Sequence, residues 1–209
     1  LLDGPTHQGF DEFLGVPGNI EDALDTEPRI LIRDDRWEMT DRSKMVMGGW
    51  KKHVGKVFTD PSWDLTHIGE TYLDEVEAIL KRKSAGKAPF FLYYVPNSNH
   101  QNLGEEGRYY IPESLRGKPV KGAAKLTNGE PAGERADMVL ENDIAFGEVV
   151  DLLESLDDPR NPGHKLIDNT IVIFTSDNGP NEGEKATTSY QSGGSVSYTH
   201  LRAHETNVD

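Results

Sequence analysis

The segment 171–180, IVIFTSDNGP, narrows the possible folds of this 209-residue chain more than any other stretch. Its apolar, β-branched run predicts a strand buried on both faces, with polar residues at the carboxyl end. In open α/β sheets, that edge is where ligands bind. Asp177 and Asn178 offer the oxygen ligands that calcium or magnesium prefers. The alternative is an Asx-type turn that closes an ordinary strand, because D-N-G is common turn chemistry.

The rest of the chain alternates helical and extended patterns. Amphipathic periodicity predicts helices at 68–83 and at about 136–156, and the apolar run 90–95 predicts a buried strand. Between this strand and the second helix, residues 97–135 are polar and rich in glycine and proline, which predicts a long loop. This order favours an α/β fold with a mostly parallel sheet flanked by helices.

Two finer features accompany this pattern. Apolar residues at 30–32 and 37–39 flank the sequence R-D-D-R, which predicts a short hairpin. The second helix is expected to face the core with Val139, Phe146, Val149, Val150, Leu153 and Leu156.

The composition excludes several classes of partner. A net charge of −14 argues against a nucleic-acid or membrane-surface partner, since both surfaces are anionic. The absence of cysteine excludes disulfides and thiolate metal sites. No apolar run approaches the length of a membrane span, and no signal peptide opens the chain. Because the chain begins at Leu1 without a methionine, we expect its natural amino terminus to lie upstream.

His100 follows the predicted strand 90–95 in the sequence P-N-S-N-H. A helix lies between this strand and the one at 171–176, so the two strands are expected to run parallel with their carboxyl ends on one side. His100 would then lie near Asp177 and Asn178, as a donor to a bound anion or as a general acid. The alternative is a solvated histidine in a polar loop.

Three motifs in order resemble the formylglycine-dependent sulfatases. They are P-T-H-Q-G-F-D with F-L-G at 5–15, F-F-L-Y-Y-V-P-N-S-N-H at 90–100, and D-N-T with T-S-D-N-G-P at 168–180. The set is most similar to the arylsulfatases, within the alkaline-phosphatase-like superfold. The resemblance covers nearly all of residues 1–195 and implies a sulfuric ester hydrolase.

The resemblance also implies roles for individual residues. Asp177 and Asn178 match the family's ligands for a divalent cation, usually calcium, with magnesium possible. His100 matches the histidine that contacts the sulfate and assists the leaving group. Asn19 lies near the position of a serine that touches the sulfate in the family. The implied partner is a small-molecule or glycan sulfate ester, and the implied location is exported: periplasmic, extracellular or lysosomal.

Parts of the family pattern are absent from the sequence. The nucleophile is a formylglycine made within a C/S-x-P-x-R motif, which this chain lacks, and the first metal-binding Asp pair also lies upstream in the family. Asp34 and Asp35 are not that pair, because they follow the H-Q-G-F segment and fall in the predicted hairpin turn. We therefore expect residues 1–195 to be a partial catalytic domain without the nucleophile region, inactive alone.

Residues 196–209 resemble the translation of a sequencing adapter and are expected to be a non-native tail. Two other functions remain open for the complete protein. One is a phosphodiesterase or phosphonate hydrolase of the same superfold, and the other is a non-catalytic binding module.

Overall fold

The computed structural model of the protein describes residues 3–16, 30–38, 46–48, 57–60, 62–98 and 110–176, with the backbone alone at 46–48 and 57–59. The chain divides into two compact units, Leu1–Asn169 and Thr170–Asp209. The helices and sheets described below belong to the first unit. Of the second unit, the structure describes residues 170–176.

Helix α1, Ile68–Ser84, confirms the helix predicted at 68–83. A short 3-10 helix, Leu65–His67, leads into α1, and the Asp64 carboxylate accepts a hydrogen bond from the Thr66 backbone N–H at 2.9 Å. This cap satisfies one of the amide groups that a helix start leaves without an internal partner. The last turn carries three basic residues, which complement the helix dipole: Lys81, Arg82 and Lys83.

Helix α2, Glu134–Ser155, begins two residues before the predicted range and ends one residue before its end. The predicted inward face is correct at Leu153, which is buried, and wrong at Val139, which is exposed. The buried stripe instead includes Met138, Glu141 and Ala145, at the spacing of three and four that aligns residues on one helix face. Because this stripe contains an acid, the apolar pattern alone misplaces it.

The core lies where α1 and α2 pack together, and it has two clusters of buried side chains. The first cluster is Leu73, Ile111, Leu115, Val120, Met138, Ile144 and Ala145. The second is Val76, Leu80, Leu153 and Leu166. Among the described residues, no helix is both long enough and apolar enough to cross a membrane.

Small antiparallel sheets account for all the strand pairing that the structure describes. Strand β1, Leu14–Gly15, pairs with β2, Leu31–Arg33, which pairs with β3, Arg36–Glu38. The β2–β3 pair confirms the predicted hairpin. Its turn includes Asp34 at φ 56°, whose Oδ1 accepts a hydrogen bond from the Phe13 backbone N–H at 2.9 Å. This carboxylate therefore stabilises the fold at the hairpin.

A second antiparallel pair is formed by β4, Val46–Gly48, and β5, Val57–Thr59. A third is formed by β6, Ser114–Leu115, and β7, Lys118–Pro119.

The stretch predicted as a loop at 97–135 is described at 97–98 and from residue 110 onward, and the second part contains a hairpin and the start of α2. The β6–β7 hairpin places Leu115 and Val120 in the first core cluster. Asp137, in the first turn of α2, accepts hydrogen bonds from the backbone N–H groups of Gly122 at 2.8 Å and Ala124 at 2.9 Å. A buried carboxylate thus organises a segment whose composition predicts a loop.

The mostly parallel sheet is not confirmed. Residues 90–95 carry no strand assignment in the structure. The segment does show the side-chain alternation of a strand: Phe91 and Tyr93 are 77% and 71% exposed, while three alternate residues pack on the second core cluster, namely Phe90, Leu92 and Tyr94. The prediction of a buried strand is therefore wrong for this segment, because only one of its faces meets the helices.

Residues 171–176 also lack a strand assignment. Ile171 and Ile173 are 90% and 81% exposed, so the predicted burial on both faces is wrong here. Burial of a strand depends on neighbouring strands and layers, which the residues of the strand do not themselves specify.

Candidate functional site

All four residues predicted for the site lie outside the described part of the chain: His100, Asn19, Asp177 and Asn178. The structure reaches Ser98, two residues before His100, and Ser176, one residue before Asp177. The assigned roles therefore stay predictions. Within the described ranges, no group of three or more acidic or histidine side chains could hold a metal ion.

A buried polar group surrounds the end of the segment that leads to His100. The Ser98 hydroxyl donates a hydrogen bond to the Glu141 carboxylate, and the Asn142 side-chain amide donates to the Ser98 carbonyl oxygen at 3.2 Å. The acceptor, Glu141, and the donor, Asn142, are consecutive residues in the middle of α2. We call Tyr94, Asn97, Ser98, Glu141 and Asn142 the Ser98 cluster.

The Ser98 cluster is poorly solvated. Glu141 is only 2% exposed, and its burial raises the pKa of the carboxyl group, while the hydrogen bond from Ser98 acts in the opposite direction. Burial likewise raises the pKa of the Tyr94 hydroxyl, and the nearby Glu141 carboxylate raises it further. Three buried oxygens of the cluster have no hydrogen-bond partner among the described residues: Tyr94 Oη, Asn97 Oδ1 and Asn142 Oδ1.

Gly69, in the first turn of α1, lies against this cluster. A Cβ atom at Gly69 would lie 2.5 Å from Glu141 Oε1 and 3.6 Å from Asn97 Oδ1. The first distance is too short for a normal contact, so the Glu141 carboxyl group occupies the space that a side chain would need. A side chain at position 69 would therefore require the end of the Glu141 side chain to move.

A groove of about 160 Å³ lies elsewhere, between the β2–β3 hairpin and the start of α1, and it too has acidic walls. Two of its three acids are engaged in local turns: Asp60 accepts from Ser62, and Asp64 accepts from Thr66. The third, Glu38, accepts a hydrogen bond from the Arg33 side chain at 2.7 Å. The Thr66 hydroxyl is the main reason that the pKa of Asp64 is lowered. These contacts give the carboxylates a structural role at the two turns.

Sequence reasoning did not identify Glu141 or Gly69. A signal for Glu141 exists in the sequence, because it follows Met138 by three positions and precedes Ala145 by four. An acid in the buried stripe of a helix has to be paired or neutralised, which marks it for attention. Gly69 carries no comparable signal, because its proximity to Glu141 is a contact between two helices.

Comparison with known proteins identifies the family. The Sulfatase family model matches residues 3–206, which is nearly the whole chain. The chain therefore belongs to the Sulfatase family. This confirms the resemblance found in the three ordered motifs, and with it an α/β protein class.

Individual relatives agree with the family. The chain is 30% identical to N-acetylgalactosamine-6-sulfatase of Sus scrofa over 181 residues, which cover 84% of this chain and 27% of the relative. It is 27% identical to the enzyme of that name from Canis lupus familiaris over 191 residues, covering 86% of this chain and 29% of the relative. A 48-residue stretch is 48% identical to N-acetylgalactosamine-6-O-sulfatase of Bacteroides thetaiotaomicron, covering 23% of this chain and 8% of the relative.

The chain thus spans less than a third of the length of the mammalian relatives. No solved structure matches it significantly.

Proposed function

We propose that the protein to which this chain belongs is a sulfuric ester hydrolase. The observation that carries the proposal is the Sulfatase family match over residues 3–206. Because the chain spans less than a third of its mammalian relatives, residues 1–195 are proposed as part of a larger catalytic domain. Residues 196–209 are proposed as a non-native tail. The formylglycine nucleophile belongs to the proposed remainder of that domain.

Asp177 and Asn178 are proposed to hold a calcium ion, with magnesium as the second candidate. One carboxylate and one carboxamide oxygen fit the preference of hard cations for oxygen donors, so the chemistry of this pair suits the ion. When bound, the ion offsets negative charge on the sulfate oxygens. The two residues follow the apolar run 171–174 after Thr175 and Ser176, and the sequence Gly179-Pro180 after them favours a turn.

His100 is proposed to contact the sulfate and to donate a proton to the departing alkoxide oxygen, which lowers the barrier to release of the alcohol. Asn19 is proposed as a further contact to the sulfate through its side-chain amide. Both proposals depend on the family motifs, F-F-L-Y-Y-V-P-N-S-N-H for His100 and F-L-G for Asn19.

The proposed substrate is a sulfate ester of a glycan, and the relatives favour the 6-sulfate of an N-acetylated amino sugar. All the relatives named above are N-acetylgalactosamine-6-sulfatases by name. The net charge of −14 makes a local cation useful for binding an anionic ester. An exported or lysosomal-like location is proposed on the same family grounds.

The test is an assay of the complete protein with 4-nitrophenyl sulfate, N-acetylgalactosamine 6-sulfate and bis(4-nitrophenyl) phosphate. We expect sulfate release that falls by at least roughly 100-fold in both Asp177→Ala and His100→Ala. The 209-residue chain alone is expected to show no turnover. Cleavage of the phosphodiester in preference to both sulfate esters would favour the phosphodiesterase alternative. No turnover of any ester, with calcium still bound, would favour a binding module.

A further inference from the structure

The Ser98 cluster attaches one residue of the segment 90–98 to α2 at two points. Glu141 accepts a hydrogen bond from the side-chain hydroxyl of Ser98, and Asn142 donates one to the main-chain carbonyl oxygen of Ser98. Together the two bonds restrict both the side chain and the backbone of Ser98. The Glu141 contact involves only the side chain of Ser98, so it can be removed while the Asn142 contact to the backbone stays.

The helix that supplies these contacts is itself held firmly. One turn before Glu141, Asp137 binds the backbone at Gly122 and Ala124. On the same helix face, Met138 and Ala145 belong to the first core cluster. Glu141 therefore stands on a supported element, which is what a group needs if it is to fix the position of another.

Ser98 precedes His100 by two residues in the sequence. Restricting Ser98 therefore restricts the chain two peptide units before the predicted catalytic histidine. Burial of an acid beside a single hydroxyl is also an expensive choice for stability, because an apolar residue would suit the same space better. Core packing alone therefore does not account for the acid at this position.

We propose that Glu141 is a positioning residue that, through the Ser98 hydroxyl, fixes the chain two residues before the predicted catalytic His100. This inference rests on the proposed function, because the catalytic role of His100 is part of that proposal. It adds a residue that lies on α2, outside the three motifs that carry the family resemblance.

The test compares Glu141→Leu with Glu141→Gln in the complete protein. Leucine is similar in size but removes the acceptor, whereas glutamine keeps an acceptor oxygen for the Ser98 hydroxyl. In hydrogen exchange, Glu141→Leu is expected to speed exchange of the amides at 98–102 by about tenfold or more, and Glu141→Gln by less than about threefold. Glu154→Leu, an exposed position on the same helix, is the control and should leave these amides unchanged.

Ser98→Ala tests the same hydrogen bond by removing its donor instead of its acceptor, and it changes the side-chain volume less. It removes the hydroxyl and leaves the Asn142 contact to the backbone intact, so we expect faster exchange at 98–102 even if Glu141→Leu folds poorly. Unchanged exchange in a folded Ser98→Ala protein would overturn the inference. So would equal acceleration in Glu141→Gln and Glu141→Leu, because the acceptor oxygen would then be irrelevant.

Kinetics of the complete protein provide the second readout. Glu141→Leu is expected to lower kcat by about 10-fold or more with KM within about threefold of wild type, and Glu141→Gln should recover most of kcat. A complete protein without sulfatase activity contradicts the proposed function, while the exchange experiment still tests the attachment. Normal exchange in an active sulfatase contradicts the attachment and leaves the proposed function standing.

Discussion

Two buried carboxylates lie one turn apart on α2 and differ in what they contact. Asp137 accepts hydrogen bonds from two backbone N–H groups of the segment after β7. Glu141 accepts from one side-chain hydroxyl and lies against the backbone of Gly69, and oxygens near it have no hydrogen-bond partner among the described residues. The first carboxylate is fully used in building the fold. The second is held at a cost, which is the expected condition of a group retained for function.

The largest effect that separates the two carboxylates should come from Asp137→Ala. The substitution leaves the Gly122 and Ala124 amides without an acceptor in the interior, so we expect a loss of about 3 kcal/mol in the free energy of unfolding. Urea denaturation measures this loss. Asp143→Ala, at an exposed position on the same helix, is the control and should cost less than about 0.5 kcal/mol. An equally small loss of unfolding free energy in Asp137→Ala would contradict a structural role for this carboxylate.

The next largest effect should come from Gly69→Ala, which tests the close approach at Glu141. The added Cβ has to displace the buried carboxyl group, so we expect a loss of about 2 kcal/mol. Gly147→Ala is a matched helical control with no atom within 4 Å of the new Cβ, and it should gain about 0.5–1 kcal/mol from helix propensity. In a Glu141→Ala background, Gly69→Ala should no longer destabilise. Persistence of the loss in that background would show that another contact causes it.

The smallest effect is a change in pH dependence at Glu141. Burial raises its pKa, so the folded state keeps this proton at pH values where the unfolded chain has released it. Its contribution to stability is therefore fully present below the ordinary glutamate pKa, about 4.3, and is lost as the pH rises through the raised value. Glu141→Gln does not titrate, so its stability relative to wild type should increase as the pH rises through this window. Each pH unit of the window contributes about 1.4 kcal/mol.

Denaturation curves for both proteins at closely spaced pH values measure this difference directly. Glu154→Gln provides the control for removal of a charge from α2, at an exposed position. A constant difference between Glu141→Gln and wild type at every pH would mean that Glu141 titrates at its ordinary value in the folded protein.

Local pattern was sufficient to predict the helices and the hairpin. The spacing of Leu73, Val76 and Leu80 predicts α1 because helical periodicity is contained within the segment itself. The alternation at 90–95 also survives in the structure, where Phe90, Leu92 and Tyr94 meet the helices. The family resemblance followed from motif order, and the family match confirms it.

Features that depend on distant contacts could not be predicted. The apolar pattern alone predicts Val139 as a core residue. The buried stripe of α2 instead passes through the neighbouring Met138 and includes the acid Glu141. The order at 110–133 depends on Asp137, whose side-chain partners are 13 and 15 positions away. Predicting a parallel sheet requires knowing which strands pair, and that information is spread over the chain. The roles of His100, Asn19, Asp177 and Asn178 stay predictions.

Calcium binding by the complete protein tests the central proposal most directly. Titration calorimetry should find calcium bound to the wild type and at least roughly 100-fold weaker binding in Asp177→Ala. Asp35→Ala, which removes the same charge from the hairpin turn, should bind calcium like the wild type. Unchanged calcium affinity in Asp177→Ala, or loss of binding in Asp35→Ala alone, would contradict the proposed metal site.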